Sequence, residues 1–130
     1  MIWHRNMVKA TKAEKERIDL MLSLRWCVCC ELAGYDIWRE RIEAHHILSG
    51  NKRMGHIFTV PACAGHHQGQ WSARQLVMIQ VEQRIAISDG SKLFTPVYGT
   101  PRELWERTQR KLGLPISGWP VSKILPRRVA

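Results

Sequence analysis

Two pairs of metal-binding side chains, each spaced i and i+3, constrain this chain more than any other feature: Cys27 with Cys30, and Cys63 with His66. A pair at that spacing closes on one ion because the chain turns back across two residues. The two pairs together therefore make one closed tetrahedral site of the kind that holds structural zinc. Cys29 is the odd thiol, since Cys27 and Cys30 have the better chelating spacing, although an exchange of partner stays open. Three further imidazoles, His45, His46 and His67, are surplus to that site. They predict a second centre, open to solvent and able to do chemistry. At 130 residues the chain reads as one domain, 1–130, small enough for the zinc to be part of the fold.

Four Cys can also pair as disulfides, but residues 1–9 carry charges and no apolar run that would serve as a signal peptide. A reducing cytoplasm is the expectation, and there thiols bind metal. The most apolar segment, Leu76 to Ile87, is interrupted by Gln80, Glu82, Gln83 and Arg84, so no membrane span is expected. The net charge of +9 is unevenly placed: +3 over residues 1–26, zero over 27–70, +3 over 71–113 and +3 over 114–130. A formally neutral, metal-rich centre between basic flanks predicts attraction to a polyphosphate through counterion release, which is salt-sensitive and blind to base sequence. Metal chemistry on such a surface reads as metal-dependent nuclease activity.

Thr11-Lys12-Ala13-Glu14 is a capping box, and Ile18, Met21, Leu22 and Arg25 share a face of a helix predicted over about 12–25. Glu31 to Glu40 lacks a period and reads as a connecting segment. Arg41 to Ile47 alternates as a strand, which turns His45 and His46 to opposite faces. Ser49 to Gly55 is a polar loop whose tip carries Lys52 and Arg53, and His56 to Val60 reads as the returning strand. A short helix is expected to begin near His66 or His67, and boundaries between 68 and 98 are unresolved by pattern. The last helix opens on Thr100, Pro101 and Glu103, stops at Gly113, and turns Leu104, Trp105, Thr108 and Leu112 inward. Residues 114–130 lack periodicity and read as a basic extended arm with Lys123, Arg127 and Arg128. Trp3, Trp26, Trp38, Trp71, Trp105 and Trp119 are read as packing rather than base-stacking platforms, and His4 as exposed.

The order Cys-x-x-Cys, a strand ending in His-His, a loop, a second strand, and Cys-x-x-His-His opening a helix resembles the HNH, or ββα-metal, nucleases. More narrowly, Glu43 to Ile47, the loop through Arg53 to His56, Cys63 with His66 and His67, and Phe94 to Gly99 resemble the phage recombination-enhancement nucleases. The likeness covers about residues 22–113. It implies an α+β fold: a β-hairpin plus helix around the catalytic metal, a structural zinc knuckle and flanking helices. It further implies His46 as general base, His45 as ligand of a catalytic ion such as Mg2+ or another divalent cation, and His67 as ligand from the helix. A DNA substrate and a recombinase filament on single-stranded DNA are the implied partners, in the bacterial host cytoplasm or nucleoid.

One departure from the family pattern concerns its middle Asn, which orients the general base; the matching position here is Phe58. Asn51 and His56 are the nearby polar candidates, and His56 is favoured as orienter or additional ligand. Arg53 and Lys52, with the arm's Lys123, Arg127 and Arg128, are the candidate DNA contacts. Two rival readings stand beside this one. One is a noncatalytic zinc module that grips DNA with its basic flanks; the other is an interaction domain of a phage or prophage protein.

Overall fold

The structure, a computed structural model, describes residues 9–35 and 40–120. Thr11 caps the first helix, α1 (Lys12–Ser23), its hydroxyl accepting from the Glu14 amide at 3.1 Å while Glu14 accepts from the Thr11 amide. This satisfies two of the amides that a helix start leaves bare. After a turn in which Arg25 takes φ 51, Cys27 caps a short helix, α2 (Val28–Ala33), and Gly34 ends it at φ 74. Part of the segment read as a connector is therefore helical. Next come β1 (Ile42–His46), β2 (Leu48–Ser49), β3 (Lys52–Arg53) and β4 (Thr59–Cys63). Helix α3 (Ala64–Gln68) leaves directly from β4, followed by α4 (Ala73–Met78), two 3-10 turns (Val81–Gln83 and Ile87–Asp89), α5 (Ser91–Tyr98) and α6 (Pro101–Leu112).

Strands β1 and β4 pair antiparallel, Ile42 opposite Cys63 and His46 opposite Thr59. With α3 they form a ββα unit, and the protein has an α+β fold. The returning strand lies three residues later than alternation predicts. His56 and Ile57 are spent in a turn closed by the Phe58 amide on the Gly55 carbonyl at 3.1 Å. Pro61, just past the expected strand, sits inside the observed one. Ladder bonds from Ala64 to Arg41 (3.1 Å) and from Ile47 to Phe58 (2.9 Å) set the alternation. They place Pro61 opposite Ala44 at a non-hydrogen-bonded pair, where its missing N–H costs no bond. Between the two strands, Leu48 pairs with Arg53 and Ser49 with Lys52, turning at Gly50 with φ 65. The basic tip is thus built on a small ladder of its own.

Every residue of β4 is buried, and α1, α2 and α6 pack around it. Met21 from α1 and Leu104, Trp105 and Thr108 from α6 enter this core, with Leu112 only half-buried. The predicted face of α1 missed Arg17, which is buried. Its guanidinium donates to Gln109 Oε1 at 2.9 Å, Thr59 Oγ1 at 2.6 Å and the Thr59 carbonyl at 3.0 Å. Burial lowers its pKa to about 10, still charged at neutral pH. An unmet buried acceptor costs ~1–3 kcal/mol, so this one side chain ties α1, α6 and β4 together. Phe58, Trp105 and Trp119 form an aromatic cluster, confirming the packing role for the last two. Trp3 and Trp38, with His4, lie outside the described residues. Among the described residues, no helix is long and apolar enough to cross a membrane.

Candidate metal centre and active site

Cys27 ends the turn after α1 and Cys63 ends β4, and each serves as the N-cap of the helix that follows. The Cys27 sulfur accepts from the Cys30 amide at 3.4 Å, and the Cys63 sulfur from the His66 amide at 3.3 Å. Each cap therefore points its sulfur back at the i+3 residue, so the local geometry of a helix start produces both chelating turns. The β1–β4 pair and the packing of α2 on β4 then bring the two turns together. The donor atoms of Cys27, Cys30, Cys63 and His66 all lie within 4.8 Å of one another, and all four residues are buried.

The observed separations fit a metal. Cys30 Sγ and Cys63 Sγ are 3.7 Å apart, and His66 Nδ1 lies 3.4 Å from each of them and 3.8 Å from Cys27 Sγ. A tetrahedral ion with Zn–S bonds of ~2.3 Å and a Zn–N bond of ~2.0 Å has edges of roughly 3.8 Å and 3.5 Å. The group can hold a metal such as zinc. Its electrostatics agree. Burial raises the Cys27 thiol, but hydrogen bonds from Cys29, Cys30, Cys63 and His66 outweigh it and hold Cys27 well below its usual range. Burial likewise opposes protonation of His66, yet Cys27 and Cys63 raise it to about 9. A thiolate facing an imidazolium inside a core is a charge arrangement that one divalent cation replaces by displacing protons. Cys29 is buried but stands outside the donor group, with its thiol raised by burial and by Cys27.

Two partners, Gln75 and Tyr98, hold these donors in place, and sequence reasoning assigned a role to neither. The Gln75 amide donates to Cys63 Sγ at 3.1 Å, while the Gln75 carbonyl oxygen accepts from the Ser72 amide at 3.0 Å. Tyr98 Oη is 2.8 Å from His66 Nε2 and donates to the Gln83 carbonyl, fixing the ring so that Nδ1 faces the sulfurs. Gly65 is required beside them: a Cβ there would lie 2.4 Å from Trp71 Cε3 and 2.8 Å from Gln75 Oε1. Such partners commonly tune metal affinity ~10–100-fold. Gln75→Leu is therefore expected to weaken zinc binding by about that factor in competition with a chromophoric chelator, while the fold is retained. Unchanged affinity would show that the amide does not act on the sulfur.

Together with His56, the three surplus imidazoles fall into two pairs on opposite faces of β1, as alternation predicts for His45 and His46. On one face, His45 Nδ1 is 3.3 Å from His67 Nε2. His67 Nδ1 lies 2.7 Å from Glu43 Oε1, and Arg41 approaches the other carboxylate oxygen at 2.9 Å. A carboxylate only accepts, so Glu43 fixes the proton on His67 Nδ1 and leaves the Nε2 lone pair turned toward His45. Two imidazole nitrogens bound at ~2.1 Å to one ion stand roughly 3.0–3.4 Å apart, so the pair fits two ligands of a metal with open positions. The signal for Glu43 was its place two residues before His45 on the same strand face.

On the other face, His46 Nε2 is 3.2 Å from His56 Nδ1. Burial, then the Arg53 and His56 charges, lower His46 to about 4. Burial, then His67, His46 and Arg53, lower His45 to about 4. Both rings are thus neutral near pH 7, the state in which an imidazole can take a proton or bind a metal. Arg53 and Lys52 are exposed on β3. Phe58 packs into the aromatic cluster, and the polar group facing His46 is the His56 ring, 3.2 Å away.

A family model described as recombination enhancement, RecA-dependent nuclease matches residues 10–113. The chain belongs to this family. The match spans α1 through α6 and includes all four donors and all four imidazoles of the two pairs. Membership supports a nuclease role in recombination, with involvement of DNA and RecA. No curated protein and no solved structure matches the chain. The predicted arm residues Lys123, Arg127 and Arg128 lie outside both the matched segment and the described residues.

Proposed function

We propose that the protein is an HNH-type endonuclease that hydrolyses DNA phosphodiesters with a histidine base and one divalent cation, and that a second, structural zinc holds its centre. The observation that carries this reading is the Glu43–His67–His45 arrangement on one face of β1, with the neutral His46, next in the chain and turned to the other face, held by His56. His45 and His67 would hold a divalent cation such as Mg2+, which would supply positive charge to offset that of the scissile phosphate and leaving 3′ oxygen. His46 takes the proton from the attacking water. Its Nε2 contact to His56 at 3.2 Å holds the ring in place, so His56 is a positioning residue. Glu43 does the same for His67. Cys27, Cys30, Cys63 and His66 hold the structural zinc.

The family's RecA dependence supports DNA carrying a RecA filament as the substrate, in phage or bacterial recombination. Arg53 and Lys52 hold the DNA backbone, as do Lys123, Arg127 and Arg128 of the arm. Cleavage measured on duplex, single-stranded and RecA-coated DNA, with and without magnesium, tests the reading. Cutting is expected only with the metal and most strongly on RecA-coated DNA. Binding without cutting under all these conditions would instead favour the noncatalytic zinc module. The backbone contacts predict a steep loss of affinity as salt rises. Deleting residues 120–130 should weaken binding to all sequences about equally; unchanged affinity would release the arm from that role.

A further inference from the structure

Helix α4 is anchored on one side and bare on the other. Gln75 is fully buried and donates to Cys63 Sγ at 3.1 Å, and Ile79, one turn further on, is buried as well. The Ser72 hydroxyl, just before the helix, donates to Glu40 at 2.9 Å. With these positions fixed inward, the apolar residues between and after them are held outward. Val77 is 80 % exposed, Val81 68 %, Met78 61 % and Leu76 49 %. Among the described residues no other stretch of six gathers as many exposed large apolar side chains. Single exposed aliphatic residues are ordinary, but a cluster on an anchored segment is the kind of patch that marks a protein contact. Its charge agrees: residues 74–82 hold one Arg and one Glu, at the two ends. A phosphate backbone finds little to bind there, unlike at the hairpin tip with Lys52 and Arg53.

We propose that this face docks on a subunit of the RecA filament, seating Val77 and its neighbours against an apolar surface of that protein. The inference rests on the nuclease reading above and names the surface behind its RecA dependence. Basic flanks hold any DNA, coated or bare, because they neutralise phosphates. A nuclease of a family described as RecA-dependent needs in addition a contact that bare DNA does not offer. The α4 face supplies one: an apolar centre flanked by the exposed Arg74 and Glu82, the charge-poor middle and polar edge of a protein interface. Its place in the fold also serves cleavage. Gln75 ties α4 to Cys63, where β4 ends and α3, the helix of His67, begins. A filament subunit seated on α4 therefore has a fixed position relative to the His45–His67 pair.

The test measures co-sedimentation of the protein with RecA filaments, formed on single-stranded DNA with a slowly hydrolysed ATP analogue, beside its affinity for the same DNA uncoated. Val77→Gln combined with Val81→Gln removes apolar surface at the two most exposed of the four positions without changing charge. Filament binding should fall roughly tenfold or more, while bare-DNA affinity, zinc content and melting temperature stay unchanged. A photo-crosslinking residue at position 77 should capture RecA itself. Parental filament binding by the double variant overturns the proposal, as does capture of a second copy of this chain in place of RecA. A lowered melting temperature also overturns it, by placing the patch under another part of the same chain. Magnesium-dependent cutting is read separately. Parental cutting of RecA-coated DNA by the double variant removes the docking face and leaves the nuclease standing; filament binding that depends on Val77 and Val81, without cutting, does the reverse.

Discussion

Replacing Cys63 with Ser is expected to remove the structural zinc and unfold the centre of the protein, giving a metal-free, poorly soluble product. Cys63 contributes at three levels at once. It ends β4, caps α3 by accepting from the His66 amide at 3.3 Å, and supplies one of the four donors. Structural zinc sites contribute ~10–16 kcal/mol in zinc-finger peptides, against a total stability of ~5–15 kcal/mol for ordinary domains. Losing even part of that contribution is enough to unfold a chain of 130 residues. Elemental analysis of the purified parent protein should give about one zinc per chain. Cys29→Ala is the matched control: it alters an equally buried thiol outside the donor group and should keep the zinc. A Cys63→Ser protein that is folded and zinc-free would overturn the structural-zinc assignment. Loss of the ion from Cys29→Ala would show instead that the ligand partner is exchanged.

The metal cluster was legible because chelation at i and i+3 is a local property. Cys27 and Cys63 each cap a helix whose first turn delivers the partner, so spacing alone carried the geometry. The segregation of His45 from His46 was legible for the same reason, since a strand alternates. What faces each of them was not. Glu43 meets His67 across 24 positions, and Gln75 reaches Cys63 from α4, whose pattern was unreadable between two glycine- and serine-rich breaks. Those contacts depend on how the elements pack, and no local rule encodes it.

Two misreadings have similar causes. Arg17 breaks the apolar stripe of α1, yet it is buried because Thr59 and Gln109, both distant in sequence, supply its acceptors. The returning strand is expected over 56–60 because that run is β-branched and aromatic, and it ends just before Pro61. Only the register against β1 shows that this proline falls where no amide is needed. His56 therefore ends up in a turn rather than a strand. That position is what lets it reach back to His46.

Cleavage rates for His46→Ala and His67→Ala, each with its structural zinc confirmed and assayed across a range of magnesium and manganese, test the proposed mechanism most directly. If His46 removes the proton from water, His46→Ala should lose activity by ~100-fold or more. It should keep its fold, zinc and DNA affinity, and added metal should not restore it. His67→Ala, which loses a ligand of the catalytic cation, should be partly restored by excess metal. A His46→Ala protein that cuts DNA at the parental rate would contradict the account and shift the role of base to His45 or His56.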